Sequence, residues 1–194
     1  MKPNRTILAW AVVCLYASCA GDGSPDPRTT AIKVRVTSFL EDYGNLDFEN
    51  AADVIHPEDL QAVHDLFIPV FQDAQASESR EARRVATVFF SALSSADAQE
   101  VSPTEVYALM NRIVFASSSE LNAIVSTSTY NVTEVRYDSA QSATAVYTMR
   151  SRSGESQAQG FFQLELFDSN WYIRMNPAPA EVEADLRAAL AVAQ

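Results

Sequence analysis

Hydrophobic residues along this chain follow a helical period as far as Ile124 and alternate with polar residues after it. Wound as a helix, residues 31–43 place Ile32, Val36, Phe39, Leu40 and Tyr43 on one stripe, and Gly44-Asn45 supplies the stop. Phe48, Ala51, Ala52 and Ile55 form a second, shorter stripe that ends before Pro57. From Glu58 onward Leu60, Val63, Phe67 and Phe71 keep helical spacing, and Pro69 is expected to kink or end that helix. Arg80 to Leu93 predicts another helix, with Val85, Val88, Phe89 and Ala92 inward and Arg83 and Arg84 outward. Ser102-Pro103-Thr104-Glu105 joins a capping box to a proline at the first helical position, and Val106, Leu109, Met110 and Ile113 follow on one face.

The strands come next. Ala143, Ala145, Tyr147 and Met149 alternate with Thr144, Val146, Thr148 and Arg150, and Ser153-Gly154 marks a hairpin turn. Phe162, Leu164 and Leu166 alternate with Phe161, Gln163, Glu165 and Phe167. Asp168-Ser169-Asn170 turns the chain into Trp171, Ile173 and Met175, and Pro177 and Pro179 end the sheet. Val182, Leu186 and Leu190 make a last amphipathic helix, acidic early and with Arg187 late, as the helix dipole favours. Helices followed by a strand meander predict an α+β fold, with helices packed on one face of an antiparallel sheet. Phe162, Leu164, Leu166, Trp171 and Ile173 are expected to face those helices.

The N-terminus adds an address. Lys2 and Arg5 precede the apolar run Ile7 to Ala17, far shorter than the roughly 20 residues a helix needs to cross a bilayer. That is the build of a signal peptide over residues 1–18. Tyr16-Ala17-Ser18-Cys19 resembles the lipobox of bacterial lipoproteins, with Tyr16 in place of the usual Leu-like residue. The resemblance implies that Cys19 carries the lipid and that the membrane is a partner through this anchor. Ala20 then stands where an aspartate would retain a lipoprotein at the inner membrane, which implies the outer membrane, facing the periplasm. Plain secretion with cleavage after Ala20 is the alternative. Residues 19–30 read as lipidated cysteine plus flexible tether, residues 31–177 as the domain with extra helices at about 58–119, and residues 178–194 as the C-terminal helix.

Charge narrows the partners. The formal net charge is −11, so nucleic acid is excluded and any membrane attachment must come from the lipid. Of the two cysteines, Cys14 falls inside the signal segment, which leaves the domain without thiol chemistry or a disulfide. No metal-ligand spacing, nucleophile elbow or phosphate-binding glycine loop occurs, and neither metal nor cofactor is expected.

The segments NLDFENAADVIHPEDL and FFQLELFDSNWYIRMNP, in that order after a first amphipathic helix, resemble the nuclear transport factor 2-like superfamily, which includes ketosteroid isomerase-like and polyketide cyclase-like proteins. The resemblance covers about residues 30–177. It implies a curved sheet wrapped around helices as a cone whose interior holds a small ligand or is filled by side chains. Asp53 and His56, three apart, are the candidate acid–base pair, with Tyr107 as an accessory. Set against this, His56 before Pro57 reads as a helix-boundary cap. By the helical period, Asp53 and His56 each fall about 100° from the buried stripe, at a rim that water reaches. Glu58 and Asp59 read as first-turn acids of the next helix, and His64 as a surface or half-buried histidine. Tyr43, Tyr147 and Trp171 are the candidates for lining a ligand cavity, or else core aromatics with a wet polar tip. Three functions stay open: a binding module for a small apolar ligand or an envelope protein, an isomerase-, dehydratase- or cyclase-type enzyme, and a structural envelope protein with a filled core.

Overall fold

A computed structural model describes residues 26–95, 97–151 and 157–190 of the chain. The signal segment, Cys19 and the turn expected at Ser153-Gly154 lie outside the described residues. Helices α1 (Pro27–Gly44), α2 (Phe48–Ala52), α3 (Pro57–Ala76) and α4 (Arg80–Ala92) come first. A 3-10 turn at Ala98–Glu100 leads to α5 (Pro103–Ser117) and α6 (Ser119–Thr127). Then follow strands β1 (Ser128–Tyr137), β2 (Ser142–Ser151), β3 (Gln157–Phe167) and β4 (Asn170–Arg174), and helix α7 (Pro179–Leu190). The strands pair antiparallel in the order β1-β2-β3-β4, so the fold is α+β, with helices over one face of a meander.

The starts of α1 to α6 follow from local caps. Asp26, Ser79, Ser102 and Ser118 each accept a backbone N–H with the side chain, and proline opens α1, α3 and α5. Helix α1 therefore begins at Pro27, and residues 27–30 belong to it and not to the expected tether. Pro69 does not end α3, which runs on to Ala76. The proline is exposed while Phe67, Ile68, Val70 and Phe71 around it are buried, so packing outweighs the lost hydrogen bond. Helix α4 is rotated from expectation: Val88 is 51 % exposed, Ala92 is exposed too, and Ala82, Ala86 and Phe89 face inward. Two alanines let α4 approach α3 closely enough for Phe89 to stack on Phe71, centroids 3.9 Å apart. Helix α6 was not expected. It has nine residues and one buried side chain, Val125, too little for a periodic signal.

The sheet keeps its expected polarity. Ala143, Ala145, Leu164, Trp171 and Ile173 are buried, Phe162 and Leu166 pack against the same core, and Gln163 is exposed. Asp168 and Ser169 both have positive φ, 46° and 66°, which lets a two-residue turn match the twist of β3 and β4. Gly160 faces Tyr147 across the sheet, and a Cβ there would come within 2.6 Å of the tyrosine ring. The glycine thus lets Tyr147 lie flat across β3 and stack on Phe162, centroids 4.9 Å apart.

Candidate functional site

Three places hold the chemistry that the sequence offers. The first is an open groove of about 530 Å³ between α2 and the N-terminal half of α5. Asp53 lines it as the exposed C-cap of α2, together with Glu49, Asn50, Glu105 and Arg112. Arg112 Nη2 donates to Glu49 Oε1 at 2.9 Å. Glu105 is committed to the loop before α5, accepting Ser94 N–H at 2.6 Å and Ser94 Oγ–H at 2.7 Å. Among the described residues, the Asp53 carboxylate has no hydrogen-bond partner.

The second place is the β4 edge. His56 is 1 % exposed, so the expectation of a rim position that water reaches is overturned. Helix α2 ends at Ala52, Asp53 and Val54 form a turn, and Ile55 bridges to Ile173 of β4, so helical spacing no longer applies. Ile173 N–H donates to the Val54 carbonyl at 2.8 Å, and His56 N–H donates to the Ile173 carbonyl at 2.9 Å. His56 is the N-cap of α3, and its Nδ1 accepts Glu58 N–H at 3.3 Å, as the boundary reading of this residue expected. Phe167 and Tyr172 close over the ring at 5.0 and 6.0 Å. Asp53 thus opens onto the groove while His56 is sealed under aromatics, and the two do not share a cavity wall.

Two residues of this cluster escaped sequence reasoning. Asp59 is a first-turn acid of α3, as expected, but it is also buried, which its spacing did not show. It accepts from Arg174 Nη2 and from Met175 N–H, both at 2.8 Å. Arg174 also donates to Glu165 Oε2 at 2.9 Å and to Glu58 Oε2 at 3.4 Å. The usable signal was Arg174 itself, a cation at the end of an outward-facing strand row that calls for an acid on the next covering element.

The third place is a tyrosine cluster in the interior. Tyr43 packs between Phe39, Phe48 and Phe115 at 5.4, 5.1 and 5.5 Å, and its hydroxyl donates to Asn111 Oδ1 at 2.8 Å. Buried Asn111 in turn donates to the Tyr107 carbonyl at 2.9 Å. Tyr130 donates to the Val125 carbonyl at 3.0 Å. Burial pushes the phenols of Tyr43, Tyr107 and Tyr147 above the usual tyrosine range and that of Tyr130 up to about 12. Tyr43, held in ring contacts and hydrogen-bonded through its hydroxyl, is a packing group with a satisfied polar tip. Trp171 lies apart from them, tilted against Tyr137 at 6.1 Å. His64 is also buried, where a surface or half-buried ring was expected. Its Nδ1 lies 2.9 Å from Asp65 Oδ1, and that hydrogen bond holds the Asp65 carboxyl below the usual range.

No protein-family model and no curated protein sequence matches the chain. A solved structure does match, that of a protein from Shewanella oneidensis MR-1 described as NTF-2-like and of unknown function. The match covers 75% of this chain and 93% of that one, at 10% identity and a TM-score of 0.38. The α+β class of the present chain stands on the element order and strand register given above.

Proposed function

We propose that this chain is a lipid-anchored interaction module of a bacterial envelope, engaging a partner protein through its exterior. The observation that supports this most directly is the filled interior. Phe39, Tyr43, Phe48, Phe115 and Phe162 pack ring to ring at 5.1–5.5 Å through the space an apolar ligand would need. Recognition then falls to the outside, where the α2–α5 groove presents Glu49, Asp53 and Glu105 beside a single guanidinium, Arg112. Such a lining suits a polar or basic segment of another protein. The acid–base enzyme reading loses support because Asp53 and His56 do not meet. The filled interior equally suits a purely structural protein, and one experiment separates the two.

A photo-crosslinking amino acid is placed at Asp53 or Thr104 in the groove and, as a control, at Arg150 on the sheet. The module reading expects one discrete protein adduct in cells from the groove positions and none from the control. Equal labelling from all three positions, or none, overturns it in favour of the structural reading. A small molecule retained stoichiometrically in native mass spectrometry restores the apolar-ligand reading.

A further inference from the structure

The sheet would end on an open edge at β4, and residues 54–59 close it. Ile55 pairs with Ile173 in parallel, flanked by the backbone hydrogen bonds from Ile173 to Val54 and from His56 to Ile173. One turn later the Asp59 carboxylate takes the next free edge donor, Met175 N–H. Six residues thus clasp the edge, and His56 stands at their centre.

The protonation state of that ring is set by its contacts. Nδ1 accepts a backbone N–H, so in the neutral ring the proton sits on Nε2. Nε2 is buried and has no partner among the described residues, and the ring meets Phe167 edge-on at an interplanar angle of 65°. An N–H over an aromatic ring is tolerated there. A second proton is not. It would have to go on Nδ1, where it would point at the Glu58 N–H, donor against donor, and would place a charge at a site closed to water.

The charged groups around the ring offer an alternative only outside the clasp. Glu58 Oε2 lies 3.9 Å from Nδ1, on a side chain 70% exposed and already shared with Arg174. Asp59 and Glu165 are both committed to Arg174. Arg35 of α1 lies over the Tyr172 ring at 5.8 Å, adding a cation to the aromatic cover, and Asp53 at the end of α2 is exposed. For an imidazolium to pair with Glu58, Nδ1 must release the Glu58 N–H. The proton that makes the ion pair undoes the cap of α3.

We propose that residues 54–59 form a proton-operated clasp: neutral His56 keeps the β4 edge covered, and its protonation releases the segment and bares the Ile173 and Met175 donors. The sign follows from linkage. The open form binds one more proton than the closed form, so opening is favoured as pH falls. An edge bared only in acid is a strand-pairing surface available only in acid.

Hydrogen exchange of the full chain, read at the His56 and Ile173 amides and corrected for intrinsic rates, tests this between about pH 8 and about pH 5. The expected opening rises about tenfold per pH unit on the acid side, the slope of one proton. His56→Asn keeps a capping acceptor and cannot titrate, so its profile should be flat. His64→Asn, altering the other buried histidine, should leave the wild-type slope intact. A flat wild type, a sloped His56→Asn, or a slope lost in His64→Asn overturns the clasp. If His56→Asn fails to fold, nitrogen-correlated NMR of the wild-type ring decides. The proton is expected on Nε2 at neutral pH, and finding it on Nδ1 overturns the proposal.

Discussion

Four tyrosines pack into the interior, and burial raises the pKa of each hydroxyl. Each therefore contributes stability that is fully present below the unfolded value of about 10. That stability is lost as pH climbs, beginning at the unfolded value and complete for Tyr130 near about 12. The window lies in alkali. Tyrosinate absorbance from these four groups is therefore expected to appear together with the loss of near-ultraviolet circular dichroism. Should they ionise reversibly while the dichroism persists, they face water, and the packed interior on which the functional reading rests is wrong.

At the scale of elements, β3 carries the division between core and solvent residue by residue. Leu164 is 1 % exposed and pairs across the sheet with Ala143 and Ile173, while its neighbour Gln163 is exposed. Leu164→Ala should cost about 2–5 kcal/mol in chemical denaturation and Gln163→Ala less than about 0.5 kcal/mol. Equal costs would mean that the sheet has no dry face. This alternation, like the stripe of α1, was readable in the sequence because a strand or helix with one buried face repeats its pattern many times. The rotation of α4 was not, since Phe89 faces inward in either arrangement and the burial of Ala82 and Ala86 in place of the more hydrophobic Val88 depends on the close approach of α3. The candidate site divides in the same way. Asp53 and the capping role of His56 follow from local spacing. The burial of His56 and Asp59 depends on β4, and the Asp59–Met175 hydrogen bond spans 116 residues that no local pattern connects.

For the whole molecule, charge decides how a membrane could hold it. A chain of formal net charge −11 is repelled by anionic lipid headgroups. Among the described residues no helix is long and apolar enough to cross a membrane. The proposed anchor therefore rests on Cys19 alone, and the two acyl chains that the lipobox resemblance implies on that sulfur would suffice, where a single chain gives only marginal, reversible binding. Labelled palmitate should enter the wild type and the Cys14→Ser variant alike and be absent from Cys19→Ser. The last should also move wholly to the soluble fraction at low as well as high salt, because a chain of net charge −11 is not drawn to anionic headgroups. Label that persists in Cys19→Ser, or a salt-sensitive membrane-bound remainder, would mean that the attachment comes from somewhere other than this cysteine.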